Sequence, residues 1–160
     1  LLRAFAAVQD PAARLLIVGD GPARAELEAE AGRLGLGDRV AFLGHTDAPD
    51  RAQACFDIFA LSSDTEQMPY SVIEAMAAGL PVVATDVGDV GMMLAQSVAE
   101  ACTVAKEDEA GLTAKLEWLA ADPDVCAQIG DANRHHVQAN YSIETMLDAY
   151  DRLFQARIRR

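Results

Sequence analysis

At 160 residues the chain fits one domain, and its 51% apolar residues supply a sizeable core, which excludes an intrinsically disordered protein. No run approaches the roughly 20 apolar residues of a membrane span, and no signal peptide is visible. Acidic residues outnumber basic ones 25 to 13, a net charge of −12 that argues against nucleic acid and anionic membranes as partners. Cys55, Cys102 and Cys126 are odd in number and widely spaced, so they read as reduced thiols of a cytosolic protein, not as a disulfide frame or zinc site. The first residue is Leu1, with no Met, as expected of a fragment or processed product.

In chain order, Leu1, Leu2, Phe5 and Val8 recur at helical spacing, and Asp10-Pro11 breaks the helix. Residues 15–18 form an apolar run expected to be a buried strand. The turn Gly19-Asp20-Gly21-Pro22 then leads into a helix with Pro22 near its first position, a stripe of Leu27, Ala31 and Leu34, and Gly35 at its end. Gly19-x-Gly21 suggests a dinucleotide turn, but Arg24 stands where G-x-G-x-x-G needs its third glycine. A nicotinamide or flavin domain is therefore the weaker alternative to a tight strand-to-helix turn. Residues 39–43 predict the next strand, with Gly44-His45-Thr46-Asp47 as the loop at its carboxyl end. Residues 48–56 predict a short helix with Ala52 and Cys55 facing in, Cys55 and Cys102 both being read as small buried hydrophobes.

The densest signal lies between Phe59 and Gly88. Residues 58–61 and 81–85 are short apolar runs, as strands buried on both faces should be. Between them Pro69 can open a helix, Gly79 closes it and Pro81 stops it from resuming. Glu66 lies in the polar loop and Glu74 lies eight positions on, inside the helix. A helix that starts at the carboxyl end of a parallel strand directs its N-terminus at the ligand crevice of an open sheet. The backbone N–H groups of Tyr70, Ser71 and Val72 sit at that start and suit an anion, whereas Pro69 has none to offer. Two blander readings compete. Ser71 to Glu74 fits a capping box, which would move the helix start to Val72, and Glu66 fits a solvated loop acid. Met68 and Tyr70 suit a pocket or the core equally.

Farther on, residues 101–104 predict the last strand, and Leu112, Leu116 and Leu119 an amphipathic helix ending near Ala121. Asp122-Pro123 is an N-cap followed by proline at the first position, opening a helix to about Ala139. His135 and His136 are adjacent, so they point apart on a helix and cannot share a metal. Ser142 caps a last helix with the stripe Ile143, Met146, Leu147, Tyr150, Leu153 and Phe154. The one Asp-x-Asp run, Asp122-Pro123-Asp124, belongs to the helix cap at Asp122 and is not read as a pair of the kind that holds Mg²⁺ beside a diphosphate.

Glu66, then Gln67 to Ile73, then Glu74-Ala75-Met76-Ala77-Ala78-Gly79-Leu80-Pro81-Val82-Val83 resembles the signature of the retaining glycosyltransferases of family 4. The likeness is to their C-terminal, donor-binding half. Leu16 to Pro22 and Val40 to His45 match neighbouring strands and turns of that family in the right order. The resemblance implies an α/β fold, a Rossmann-like doubly wound parallel sheet forming one half of the GT-B architecture. Residues 1–160 would be one nucleotide-sugar-binding domain whose acceptor domain and first central strand are absent. The gap between strands 15–18 and 58–61 would then be filled by an exchanged element, or closed by those strands meeting.

By the same resemblance Glu66 contacts the donor hexose and is the candidate catalytic residue, while Glu74 binds the ribose hydroxyls. Gly19, Gly21, Pro22, His45, Thr46, Gln67, Met68, Tyr70, Ser71 and Val72 complete the donor site. Ser62 and Ser63 are turn residues or sugar-side donors. Val87-Gly88-Asp89-Val90-Gly91-Met92 departs from the family's G-G-x-x-E, with Asp89 at the second glycine and Met92 at the acid. Between Ala52 and Asn133 the only cations are Lys106 and Lys115, a short supply for a diphosphate. The implied function is transfer of a hexose from a nucleotide-diphosphate sugar to a glycan or lipid-linked acceptor, without a metal or other cofactor. The isolated chain is expected to be inactive, and self-association through the truncated sheet or last helix is a further expectation. The expected location is the cytoplasm, with the inner membrane surface as an option for the full-length protein. The alternatives are half of a nucleotide-sugar epimerase and a non-catalytic, self-associating domain.

Overall fold

The computed structural model describes residues 1–158. The elements, in order, are α1 (Leu2–Ala7), β1 (Leu15–Val18), α2 (Arg24–Arg33), a 3₁₀ turn (Gly37–Arg39), β2 (Val40–Gly44), α3 (Pro49–Gln53), β3 (Phe59–Leu61), α4 (Tyr70–Ala78), β4 (Val82–Thr85), α5 (Val90–Met93), α6 (Ala99–Cys102), β5 (Thr103–Val104), α7 (Glu109–Ala121), α8 (Pro123–Asn140) and α9 (Ile143–Ile158). Every strand-to-strand ladder is parallel, and the helices between the strands supply the crossovers that parallel pairing needs. The strands form two groups, β1-β2 and β3-β4-β5. The expected α/β, Rossmann-like half-domain is therefore present, with its sheet in two parts. β1 and β3 do not pair with each other, so the strands expected either to meet or to be bridged leave one edge each without a partner among the described residues.

β4 is the centre of the larger group. Val82, Val83, Ala84 and Thr85 are all buried, which explains the unbroken apolar run before Thr85. Val72, Ala75 and Met76 of α4, Leu112 and Leu119 of α7, and Ile129 and Val137 of α8 join β4 in one core. Leu2, Phe5, Val8, Ala31 and Leu36 make a second, smaller core, with Ile17 and Phe42 packed against it. Leu116 touches both cores. Arg39 ties α1 to β2: its guanidinium lies 4.7 Å from the Phe5 ring centre and donates to the Val8 carbonyl at 3.2 Å.

The helix that matters most is α4. Pro69 is its N-cap in extended conformation, so the predicted start is within one residue. Gly79 ends it at φ +77°, a conformation that glycine adopts without strain. The Leu80 N–H donates to the Ala75 carbonyl and the Gly79 N–H to the Met76 carbonyl, both at 3.0 Å, which is the Schellman pattern. α8 locks that end. A Cβ on Gly130 would lie 2.0 Å from the Gly79 carbonyl oxygen, so only glycine permits the crossing. Asn133 Nδ2 donates to the Leu80 carbonyl at 3.1 Å and Arg134 Nη2 to the Ala78 carbonyl at 2.9 Å. The Asp122 side chain caps α8 by accepting from the N–H groups of Asp124 and Val125, as its sequence predicts. Ser142 likewise accepts from the Thr145 N–H at 3.1 Å at the start of α9.

Several expectations are corrected. β1 is half-buried along its length, because it pairs on one edge only. Pro22 lies in the turn and α2 begins at Arg24; Leu27 is 39% exposed, so α2 is anchored mainly through Ala31. α3 ends at Gln53, which turns inward, while Cys55 lies exposed beyond it. Cys102 is buried as expected, but it ends α6, and β5 shrinks to Thr103–Val104. The stripe of α9 from Ile143 to Phe154, by contrast, is exposed, in keeping with the expectation that this helix is open to self-association.

Candidate functional site

The carboxyl ends of β3 and β4 are neighbours, since Leu61 pairs with Ala84. The loops that leave them, residues 62–69 and 86–89, therefore meet. Thr85, 5% exposed, donates its hydroxyl to the Ser63 carbonyl at 2.7 Å. The Ser63 hydroxyl donates to Glu66 Oε1 at 2.6 Å, a short charge-assisted bond. The Asp89 N–H donates to the Gln67 carbonyl at 3.0 Å. Gly88 has φ +58°, and a Cβ there would lie 2.1 Å from the Glu66 carbonyl oxygen. The Glu66 segment is thus braced from two directions by the end of β4. Ser63 is resolved as a partner of Glu66, which its position in a turn did not reveal.

Glu74 lies on the exposed face of α4. Its Oε2 is 3.5 Å from Gln53 Nε2, which also lies 3.5 Å from the Ser71 carbonyl. These are long contacts, yet Gln53 is only 5% exposed, so its amide has few other places to go. The helix begins at Tyr70, so the capping box between Ser71 and Glu74 does not form and the Glu74 carboxylate is not spent on a cap. At the helix start the Val72 N–H is taken by the Pro69 carbonyl at 3.1 Å, and the Val72 side chain is fully buried in the core. The expected donors at the start of α4 are thereby narrowed to the N–H groups of Tyr70 and Ser71. Tyr70 is 79% exposed, and Gln67 and Met68 are exposed with it, so none of the three belongs to the core.

The other predicted residues gather at the carboxyl ends of β1 and β2. The Gly19 N–H donates to the Gly44 carbonyl at 2.8 Å, joining the two turns. Gly19 has φ +126°, which explains glycine there. The Gly21 N–H donates to Asp20 Oδ1 at 2.8 Å, and Pro22 follows in the turn. His45 Nε2 is 3.1 Å from Asp47 Oδ1 on the surface, and Thr46 accepts from the Ala48 N–H at 3.1 Å, a local turn that leads into α3. α3 then carries Gln53 to α4, which links this group to Glu74.

Two cations were not foreseen in their positions. Arg24 lies along β2, donating to the Phe42 carbonyl at 3.2 Å and to Glu28 at 2.8 Å. The i, i+4 spacing of Arg24 and Glu28 is the signal that foretells the second contact. Lys106 follows β5 and its Nζ is 4.0 Å from Asp64 in the Glu66 loop. Lys115, by contrast, is held at the end of α6 by the carbonyls of Ala101 and Glu100. Among the described residues no three His, Cys, Asp or Glu side chains are grouped to hold a metal. Two open concavities of about 420 Å³ each lie elsewhere, one beside Glu28 and Phe42, the other beside Lys115 and Trp118. The site around Glu66 and Glu74 is a surface edge, not either of these hollows.

A family model described as Glycosyl transferases group 1 matches residues 1–122. The chain is 29% identical over 156 residues to the N-acetyl-alpha-D-glucosaminyl L-malate synthase of Bacillus anthracis, covering 96% of this chain and 40% of the relative. It is 31% identical over 155 residues to the lipopolysaccharide core biosynthesis glycosyltransferase LpsD of Rhizobium meliloti, covering 96% and 44%. The chain thus spans less than half the length of these curated relatives. Among solved structures it superposes on the sucrose-phosphate synthase of Thermosynechococcus elongatus with a TM-score of 0.82 at 28% identity, over 97% of this chain and 42% of the other. It superposes on Anabaena HepE in complex with UDP with a TM-score of 0.89 at 23% identity, over 98% and 44%.

Proposed function

The chain belongs to the group 1 glycosyl transferase family, and on that premise we propose that it is the C-terminal, donor-binding half of a retaining family 4 enzyme. The observation that carries this reading is the pair of acids that follow β3, Glu66 in the loop that leaves it and Glu74 in the second turn of α4. Glu66 is braced by Ser63, and Glu74 projects from a helix clamped at its far end by Gly79, Asn133 and Arg134. Glu74 has the chemistry to accept from both hydroxyls of a ribose, as an acidic residue does in dinucleotide sites. The N–H groups of Tyr70 and Ser71 and the positive end of α4 favour the diphosphate. Glu66 accepts from the hydroxyls of the transferred hexose and stands beside the reacting carbon, and Lys106 adds positive charge near the leaving group. Catalysis in this reading is positioning and electrostatic stabilisation, and no metal is required.

UDP is the nucleotide favoured here, because Anabaena HepE, whose fold this chain shares, is known in complex with UDP and with UDP-glucose. The acceptor is a glycan or lipid-linked sugar, bound by the remainder of the protein, so the 160-residue chain by itself binds donor and turns it over slowly or not at all. The free edges of β1 and β3 receive a strand from that remainder or from a second copy. The proposed location is the cytoplasm, with the inner membrane surface as an option for the full-length form. No helix among the described residues is long and apolar enough to cross a membrane. The exposed stripe of α9 favours a second reading, a non-catalytic domain that self-associates through this helix.

Calorimetry with UDP, GDP and ADP and their glucose, N-acetylglucosamine and mannose derivatives separates the readings. Binding of one nucleotide sugar, followed by its turnover in the full-length gene product, is the expected result. No heat with any of them at millimolar concentration, together with a concentration-dependent dimer, supports the second reading instead.

A further inference from the structure

We infer that Thr85 is a positioning residue, the origin of a hydroxyl relay that sets the rotamer of Glu66. This rests on the reading that Glu66 meets the donor sugar. Thr85 is one of three buried polar side chains among the described residues, and the other two, Gln53 and Asn133, donate to groups on α4 or at its C-terminal end. The Thr85 hydroxyl is the last group of β4. It donates at 2.7 Å to the Ser63 carbonyl, 22 positions earlier in the chain. That bond fixes the backbone of Ser63, whose own hydroxyl donates to Glu66 Oε1 at 2.6 Å. One carboxylate oxygen is thereby held by the protein, and Oε2 is left for a ligand. Gly88 completes the brace: its hydrogen faces the Glu66 carbonyl, where a methyl group would lie 2.1 Å from the oxygen. The Asp89 N–H holds the next carbonyl, that of Gln67.

A buried hydroxyl that served packing alone would be matched in shape by valine. Thr85 instead spends its one proton on a loop carbonyl beside an acid. A hydrogen bond of this kind contributes about 1 kcal/mol net, which is roughly fivefold in affinity. The relay therefore acts on the sugar-dependent part of binding, the ratio of nucleotide-sugar to nucleotide affinity. It leaves the affinity for the nucleotide alone unchanged.

The test uses the full-length gene product, with UDP and UDP-glucose as probes in calorimetry and thermal melting as a control for folding. Thr85→Val is expected to lower the UDP-glucose to UDP affinity ratio about fivefold, and Thr85→Ser to restore it. Ser63→Ala, which cuts the relay nearer the acid, is expected to lower it by a similar amount, and it reads the same relay if Thr85→Val does not fold. Glu66→Gln is the control for the underlying reading. If Glu66→Gln lowers the ratio but Thr85→Val and Ser63→Ala leave it at the wild-type value, the relay is overturned and the role of Glu66 stands. If Thr85→Ser fails to restore the ratio, the effect is one of packing and the relay is overturned as well. If Glu66→Gln leaves the ratio unchanged, or neither probe binds, the reading of the site fails and the relay loses its role with it.

Discussion

The two halves of the sheet are built from similar sequence and end up in different states. β4 carries four residues and all four are buried, in one core with residues of α4, α7 and α8. β1 also carries four residues, Leu-Leu-Ile-Val, and all four are half-buried. The difference is not in the residues but in their neighbours. β4 has a parallel strand on each side, β3 and β5, whereas β1 has β2 alone. Apolar runs therefore report the burial a strand is suited to, and the burial it attains is fixed by what lies at its edges. The group whose central strand has both edges filled is also the one that carries Glu66 and Glu74. Rigid support and candidate chemistry coincide there.

Core truncation gives the largest contrast between the halves. Met76 is fully buried in the larger core, so Met76→Ala is expected to cost about 3 kcal/mol in urea unfolding. Ile17→Ala on β1 is expected to cost about 1 kcal/mol, since the side chain is half-exposed at the start. Equal costs would show that β1 is covered in solution by something that supplies the second edge. A smaller effect comes from the clamp on α4. Gly130→Ala must push a methyl group toward the Gly79 carbonyl, at an expected cost of about 2 kcal/mol, partly offset by the better helix propensity of alanine. Binding of nucleotide should weaken along with stability in that variant, because α4 shifts as a body; unfolding at wild-type urea concentrations would show that α8 yields instead.

Thiol labelling shows the smallest effect and changes no stability. Burial pushes the Cys102 thiol up to about 11, while Cys55 is exposed. Under native conditions at pH 8 a thiol reagent is expected to modify Cys55 within minutes and Cys102 only after unfolding. Fast labelling of Cys102 would mean that the end of β5 opens readily, and that the contrast between the halves is smaller than the static packing implies.

What could be read from the sequence follows the range of each signal. The ends of α4, the cap at Asp122 and the cap at Ser142 are set by residues within four positions, and all were legible. β1 and β4 were placed correctly because short apolar runs between turns are local features. Cys55 was misjudged because helical spacing says which residues share a face, not where the helix stops. α3 ends at Gln53, and it is a polar residue that turns inward. The brace on Glu66 was out of reach for a different reason. Thr85 and Ser63 are 22 positions apart, and their contact follows from the pairing of β3 with β4, which no local pattern specifies. Lys106 reached Asp64 by the same route, from the end of β5.

The central claim is that Glu74 serves the nucleotide and Glu66 serves the sugar. Calorimetry of UDP and UDP-glucose with the full-length gene product and its Glu66→Gln and Glu74→Gln variants measures this division directly. Glu74→Gln should weaken both ligands by the same factor, about tenfold for a lost charge-assisted pair of hydrogen bonds. Glu66→Gln should leave UDP unchanged and remove the added affinity of the glucosyl group. Two variants that weaken both ligands alike, or neither ligand, would contradict the assignment of the two acids to opposite ends of the donor.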